Sequence, residues 1–180
     1  MKCAEDFQHE IWRREDYVIS THPPDLEQRR VINGWFDSTD MYWAKSLPPD
    51  AFDRMVEGSL NFTLTKATGL DGKDSAHTIG YARCITDYVT FIYLTDVYIE
   101  PASQGKGLGK WFVRCVDELF DSMPYLRRSM LVTANWEQSV PFYERELGMH
   151  CIGTRLENDA KHDQGFAVMT KVGRGSNAKV

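Results

Sequence analysis

The chain has 180 residues, a length that is typical of one domain able to bury its own hydrophobic core. Hydrophobic side chains make up 42% of it and aromatic ones 12%, which excludes an intrinsically disordered chain. No apolar run approaches the roughly 20 residues that span a bilayer. The net charge of −5 disfavours a surface for nucleic acid or anionic membrane. We therefore expect neither a nucleic acid nor a membrane as a partner.

Residues 1–15 are rich in charge and predict an N-terminal extension. The first ten, MKCAEDFQHE, carry acids where a signal peptide needs an apolar core, so we expect a cytoplasmic protein. The cysteines form no CxxC pair, and no histidine stands at metal-ligand spacing from them. We therefore expect reduced thiols and no metal site. The four cysteines are Cys3, Cys84, Cys115 and Cys151.

The first part of the chain predicts a strand, two helical segments and a second strand. Trp12–Thr21 predicts the first strand, which ends at paired prolines because they cannot extend a ladder. Val31–Trp43 predicts a helix or two short turns. Pro48 and Pro49 open a second helix. Leu60–Ala67 then alternates as a strand, and a turn rich in glycine and aspartate follows at 68–77. Apolar residues share one face of the second helix: Phe52, Met55, Val56 and Leu60.

The middle of the chain predicts a β-hairpin. Ile79–Thr86 and Thr90–Ile99 are rich in β-branched and aromatic residues, and a short turn at residues 87–88 joins them. The second of these strands is apolar on both faces apart from Asp96. This pattern is typical of a central strand.

The last third of the chain predicts alternating helices and strands. Gly107–Met123 has its apolar residues on one helical face and predicts a helix. The whole order of elements predicts an α+β fold in a single domain over residues 1–180, with one sheet packed by helices on both faces. The remaining predicted elements are a strand at Ser129–Thr133, a helix at Ser139–Glu146, strands at Cys151–Thr154 and Phe166–Lys171, and a disordered tail at Gly173–Val180.

A glycine-rich segment, IEPASQGKGLGK at residues 99–110, lies between a predicted strand and a predicted helix. It matches neither the P-loop template GxxxxGK[ST] nor the dinucleotide template GxGxxG. It does match Q-x-x-G-x-G, from Gln104 to Gly109. Backbone N–H groups at the start of a helix bind anions, and glycines allow a pyrophosphate to approach the backbone closely. The segment therefore predicts a pyrophosphate site, although a turn that only starts a helix has the same composition.

The segment resembles the acetyl-CoA-binding motif [RQ]-x-x-G-x-[GA] of the GNAT superfamily of N-acetyltransferases, with Gln104, Gly107 and Gly109 at the defined positions. A second element resembles the family's N…Y…GF segment. It consists of Asn135 and of Phe142–Met149, with one extra residue before the glycine and methionine in place of phenylalanine. The resemblance covers about residues 31 to 170, and within the superfamily it is greatest to small, uncharacterised single-domain members.

The resemblance implies a GNAT-like domain whose central sheet is mixed and mostly antiparallel. It implies that this sheet splays between the family's strands 4 and 5, here Thr90–Ile99 and Ser129–Thr133, and that acetyl-CoA binds there as the acyl donor. It implies that the Val97 N–H meets the thioester carbonyl, that Ile99 pairs with the pantetheine arm, and that the loop N–H groups hold the pyrophosphate. The cofactor-binding residues so implied are Val97, Tyr98, Ile99, Gln104, Gly105, Lys106, Gly107, Leu108, Gly109, Lys110, Asn135, Ser139 and Phe142.

The resemblance also implies that Tyr143 is the acid that protonates the leaving thiolate, although a tyrosine that packs a helix onto the sheet fits as well. The sequence does not decide which residue is the general base. The family's glutamate on this strand corresponds to Tyr93, and Asp96 and Glu100 are the carboxylates nearby. We favour Asp96, because burial of a carboxylate in an apolar strand disfavours its charged form. Two alternatives fit the sequence equally well. Asp96 is a structural carboxylate that hydrogen-bonds a loop, or a chain of water molecules carries the proton to Asp96 or Glu100.

Four aromatic residues and two acids, Asp37 and Asp40, lie in the segment from which this fold usually builds its acceptor pocket. The cluster predicts a pocket that binds a small amine through cation–π and charge contacts. Alternatively, the aromatic side chains only cover the hydrophobic core. The four aromatic residues are Trp35, Phe36, Tyr42 and Trp43.

The sequence thus favours an N-acetyltransferase that acts on the primary amine of a small molecule. A peptide or protein N-terminal acetyltransferase and a non-catalytic CoA-binding module are the alternatives. Leu156–Gly165 is long enough for a hairpin that would block a peptide groove, which favours the small substrate. The identity of the amine stays open, as does the choice between monomer and homodimer.

Overall fold

The computed structural model of the protein describes residues 5–67, 76–153 and 165–177. The predicted turn at residues 68–77 and the predicted hairpin at Leu156–Gly165 lie almost wholly outside the described residues, as does Cys3. In the described part of the chain, no helix is both long and apolar enough to cross a membrane.

Eight strands and four α-helices make up the described fold. The sheet has the strand order β1-β2-β3-β4-β5-β6-β8-β7. The strands are β1 (Ile11–Arg14), β2 (Tyr17–Ser20), β3 (Leu60–Ala67), β4 (Ala76–Thr86), β5 (Phe91–Ile99), β6 (Arg128–Thr133), β7 (His150–Cys151) and β8 (Ala167–Val172). The helices are α1 (Leu26–Trp35), α2 (Pro49–Glu57), α3 (Leu108–Asp121) and α4 (Ser139–Leu147).

The sheet confirms the predicted fold class, α+β with a mixed and mostly antiparallel sheet. β1 with β2, β2 with β3, β3 with β4, β6 with β8 and β7 with β8 pair antiparallel. β5 and β6 pair in parallel over three residues, Phe91–Tyr93 with Arg128–Met130. β6 pairs with β8 along its whole length. So short a parallel pairing is what the predicted splay between these two strands requires.

Two elements near the N-terminus differ from the sequence prediction. The predicted strand Trp12–Thr21 is a hairpin of β1 and β2, because Glu15 adopts a left-handed conformation with φ of 52° and reverses the chain. The first helix begins five residues earlier than predicted, at Leu26 rather than Val31. Asp25 caps it: its Oδ1 accepts a hydrogen bond from the Gln28 N–H, and Gln28 Oε1 accepts one from the Asp25 N–H.

The described chain forms two compact units, which we describe in turn; that residues 1–180 make one acetyltransferase domain stays a prediction. The first unit comprises Met1–Ile85 and Asp96–Phe112. Its core joins both early helices to β4 and β5, because their apolar side chains share one cluster. That cluster contains Ile32, Phe36, Met41, Phe52, Val56, Tyr81 and Tyr98.

The second unit comprises Thr86–Thr95 and Val113–Val180. A buried carboxylate stabilises the position of α4 in it. Glu146 accepts hydrogen bonds from Arg145 Nε at 2.8 Å and from Arg114 Nε, on α3, at 3.0 Å. These bonds, the one from Arg145 foremost, hold the pKa of Glu146 below its usual range.

The chain after β8 packs against the segment that precedes β6, which differs from the disorder predicted for it. The Gly173 N–H donates to the Arg127 carbonyl at 3.1 Å, and the Gly175 N–H donates to the Leu126 carbonyl at 2.8 Å. A Cβ built on Gly173 would overlap the Leu126 carbonyl oxygen, so no larger residue fits without a backbone shift. Residues 178–180 lie outside the described part.

We expect Gly173→Ala to lower the free energy of unfolding by about 1–3 kcal/mol, because the new methyl group clashes with backbone. Urea unfolding followed by circular dichroism measures the change. Gly34→Ala is the matched control: a Cβ built there meets nothing within 4 Å, and the position is helical. We expect that control to gain up to roughly 0.5 kcal/mol. A Gly173→Ala protein as stable as the wild type would contradict the close packing.

Candidate active site

The glycine-rich segment connects β5 to α3 through one turn of 3₁₀ helix at Pro101–Ser103. The Gln104 side chain stabilises this connection, since its Nε2 donates to the Ile99 carbonyl at 2.7 Å. Ser103 Oγ donates to Glu100 Oε1 at 2.8 Å. Gln104 therefore joins the loop to the last residue of β5, a structural reason for glutamine at the first position of the motif.

Two of the three glycines adopt a conformation that other residues rarely take. Gly105 has φ of 79° and Gly107 has φ of 73°, both left-handed. Residues 104–107 are exposed, whereas Leu108 is buried and starts α3. The first N–H groups of a helix have no acceptor within the helix, and the helix dipole makes that end positive. The exposed glycine backbone thus lies directly before the N-terminus of α3. Such an arrangement can accommodate an anion of the size of a pyrophosphate.

Asp96, within β5, stands out in both its backbone and its side chain. Its φ is 53°, a left-handed value that is rare for a residue inside a strand, and its side chain is buried. Arg83 Nε, on β4, donates to Asp96 Oδ2 at 2.7 Å. The Arg83 Nη1 group also donates to Ser59 Oγ at 3.2 Å, and that hydroxyl donates to the Met55 carbonyl at 2.7 Å. The carboxylate is thus part of a network that extends from α2 to β5.

The Arg83–Asp96 pair bears on the expectation that Asp96 is a general base. The carboxylate is already engaged in a hydrogen-bonded ion pair on the neighbouring strand, which gives it a structural role in holding β4 and β5 together. Arg83 was not identified in the sequence, because a partner on a neighbouring strand leaves no trace in local spacing.

The predicted acceptor aromatics fall into two groups. Phe36 is buried and packs edge-on against Phe52, with ring centroids 5.8 Å apart. Trp35 is half-buried, with its ring centroid 5.1 Å from that of Tyr98. Tyr42 and Trp43 are 67% and 47% exposed and pack edge-on against each other. The structure thus places Phe36 in the core and leaves Tyr42 and Trp43 free to meet a ligand.

Tyr98 and Tyr93 occupy different positions along β5. The Tyr98 side chain is buried in the aromatic core, so only its main chain is open to a cofactor. Tyr93 is half-buried and pairs through its backbone with Met130 of β6. Val97 and Ile99 are likewise half-buried.

The second sequence element forms the turn from β6 into α4 and the end of that helix. Asn135 Oδ1 accepts a hydrogen bond from the Gln138 N–H at 2.9 Å, and the Asn135 carbonyl accepts one from the Ser139 N–H at 3.1 Å. Gly148 ends α4 in a left-handed conformation, φ 61°. Asn135 and Gly148 therefore have structural roles as the two ends of the α4 segment.

Tyr143 lies in α4, with its ring edge-on to that of Phe142 and the centroids 5.2 Å apart. Desolvation raises the pKa of Tyr143 to about 12. The hydroxyl is protonated at neutral pH, as that of an ordinary tyrosine is, and the raised pKa makes it a weaker acid. The acid role of Tyr143 therefore stays a prediction from the resemblance.

Comparison with known proteins identifies the family of this chain. The Acetyltransferase (GNAT) family model matches residues 31–149. A Gibberella zeae protein that bears the name of an acetyltransferase is 36% identical over 148 residues, covering 77% of this chain and 81% of that protein. A crystal structure of a GNAT-family protein from Xanthomonas campestris pv. campestris is 29% identical, with a TM-score of 0.54 over 71% of this chain and 82% of that one.

The fold is also that of a spermidine N-acetyltransferase from Vibrio cholerae, solved in complex with CoA and spermine. The TM-score is 0.67 over 88% of this chain and 96% of that one, at 14% identity. The match of the family model over more than half of the chain agrees with the glycine loop and the sheet. This protein belongs to the acetyltransferase (GNAT) family.

Proposed function

We propose that this protein is an acetyl-CoA-dependent N-acetyltransferase that acts on the primary amine of a small molecule by direct attack on the thioester. The family supports acetyl transfer. The observation that carries cofactor binding is the pair of left-handed glycines, Gly105 and Gly107, that precedes the N-terminus of α3. A Cβ built on Gly105 meets nothing within 4 Å, so the approach to this backbone is open.

The backbone of β5 and of the loop would hold the acyl donor, which supplies the activated acetyl group. We assign the pyrophosphate to the N–H groups of residues 104–110 and the pantetheine arm to the main chain of Ile99. The Val97 N–H would donate to the thioester oxygen as negative charge develops there. One donor aimed at a developing oxyanion typically lowers the barrier by about 3 kcal/mol.

We assign proton donation to Tyr143, which would protonate the thiolate of CoA as the carbon–sulfur bond breaks. The match of Tyr143 to the family's second motif supports this role, and its hydroxyl is protonated at neutral pH, as a proton donor must be. Asn135, Ser139 and Phe142, in the same segment, are proposed to contact the cofactor.

Deprotonation of the incoming amine needs a base, since alkyl ammonium groups titrate near pH 10. Asp96 and Tyr93 are the candidates that the sequence offers, and a water chain to Glu100 is the third. The Arg83 ion pair supports a positioning role for Asp96, because it holds the side chain of the left-handed residue that directly precedes Val97. We therefore propose that Asp96 sets the direction of the Val97 peptide.

A small amine is the acceptor that the exposed aromatic pair supports best. Tyr42 and Trp43 are exposed and are separated from Asp40 by Met41 alone, so π faces and a carboxylate lie close together in the chain. Aromatic faces and carboxylates both attract ammonium groups. The spermidine enzyme of the same fold acts on such a cation, although 14% identity transfers only the fold. We expect a monomer or a homodimer in the cytoplasm.

A thiol-release assay with acetyl-CoA tests the proposed function. We expect stoichiometric release of free CoA with at least one member of a panel of small primary amines and little with peptides. Turnover with peptides alone would contradict the small-molecule acceptor and identify the protein as a peptide or protein N-terminal acetyltransferase. Binding of CoA without turnover on any acceptor would make it a non-catalytic CoA-binding module.

Replacement of Tyr143 by phenylalanine tests the acid. We expect Tyr143→Phe to lower kcat by about 100-fold, the usual contribution of one general acid. The affinity for acetyl-CoA should change less than threefold, because the ring remains. Tyr125→Phe, in which an exposed tyrosine of the same unit loses its hydroxyl, is the matched control and should retain full activity. An unchanged kcat in Tyr143→Phe would remove this hydroxyl from the mechanism.

The variant Asp96→Asn separates a positioning role from a base. We expect kcat to fall while the acidic limb of the pH–rate profile persists, because another group accepts the proton. Arg83→Met should lower kcat similarly, and the double variant should lose little more, since both act through one pair. Loss of the acidic limb in Asp96→Asn, with a normal limb in Arg83→Met, would make Asp96 the base instead.

A further inference from the structure

Arg14 of β1 lies beside the glycine-rich loop, although the two are far apart in sequence. Its Nη1 atom is 4.0 Å from the position that a Cβ on Gly107 would occupy. Its Cζ atom lies over the Trp111 ring of α3, 6.0 Å from the ring centroid. One guanidinium therefore lies next to both the last left-handed glycine and the first turn of the helix.

The direction of the Arg14 side chain follows from the pleat of β1. Trp12 stacks on the buried Phe62, with ring centroids 6.1 Å apart and planes at 26°. Side chains two residues apart in a strand share a face, so Arg14 lies on the same side of β1 as Trp12. Arg13 lies on the opposite side and is also exposed. The chain thus offers two adjacent arginines of which only one faces the loop.

The surroundings of Arg14 leave its guanidinium available to a bound anionic ligand, because no carboxylate of the described residues pairs with it. Among the residues that the structure describes, no acidic side chain forms an ion pair with Arg14. Lys106 and Lys110 belong to the same loop and first turn, and the Lys106 Nζ donates to the Ala102 carbonyl at 3.3 Å, so this part of a chain of net charge −5 carries several cations. Guanidinium groups bind phosphate with two parallel hydrogen bonds, and stacking on Trp111 reduces the freedom that such binding would cost.

We propose that Arg14 binds a phosphate group of acetyl-CoA, either the pyrophosphate or the 3′-phosphate of the ribose. The inference rests on the proposed function, because it takes the loop as the site for CoA. It adds a binding residue that lies outside the loop and outside the part of the chain that resembles the family. The N-terminal hairpin β1–β2 is, on this view, part of the cofactor site.

Calorimetric titration of CoA into three proteins tests the proposal: the wild type, Arg14→Gln and the matched control Arg13→Gln. We expect Arg14→Gln to weaken CoA binding at least tenfold, because a charge-assisted hydrogen-bond pair is lost. Arg13→Gln should stay within twofold of the wild type. Arg14→Lys, which retains the charge without the planar fork, should lie between the wild type and Arg14→Gln. Thermal melts of each variant verify that the hairpin remains folded.

A second titration with 3′-dephospho-CoA identifies the phosphate. If the penalty of Arg14→Gln disappears with this ligand, Arg14 binds the 3′-phosphate; if the penalty persists, Arg14 binds the pyrophosphate. Equal CoA affinity in folded Arg14→Gln and in the wild type would overturn the inference and leave the proposed function intact. Failure of the wild type to bind CoA would overturn both.

Discussion

The path of β5 and of the turn after it is the constraint on which the rest of the structure depends. Alternate residues of this strand are buried from Ile92 to Tyr98, so the core fixes its position. The strand then departs from regular geometry at Asp96, and the chain does so again at Gly105 and Gly107. Left-handed conformations cost little for glycine, but for aspartate they require compensation from neighbouring contacts. Arg83 supplies that compensation through an ion pair at 2.7 Å.

This arrangement explains how one short segment can bind a cofactor mostly through its backbone. Glycines remove the Cβ atoms that would keep a pyrophosphate away, and the start of α3 directs N–H groups toward the same place. The side chains contribute in two other ways. The Gln104 amide joins the loop to β5 through a hydrogen bond, and Arg14, Lys106 and Lys110 add positive charge to this part of the chain.

Much of the fold followed from local patterns in the sequence. The apolar face of α3 and the β-type run of β3 are signals within one element, and both elements were predicted correctly. The predicted alternation of β3 was wrong, because the strand is buried on both faces from Leu60 to Leu64. The hairpin of β1 and β2 was read as one strand, because a left-handed glutamate has no sequence signature. Arg14 and Arg83 could not be identified, since each acts on residues that only the folded sheet brings near. The acceptor stayed open because pocket residues follow no motif.

The central claim is that residues 104–110 hold the pyrophosphate of CoA through their backbone N–H groups. Amide hydrogen exchange, followed by mass spectrometry with and without saturating CoA, tests it most directly. We predict that exchange slows in the peptides that cover residues 97–110. Unchanged exchange in these peptides, with protection elsewhere in the chain, would contradict the claim and place the cofactor at another site.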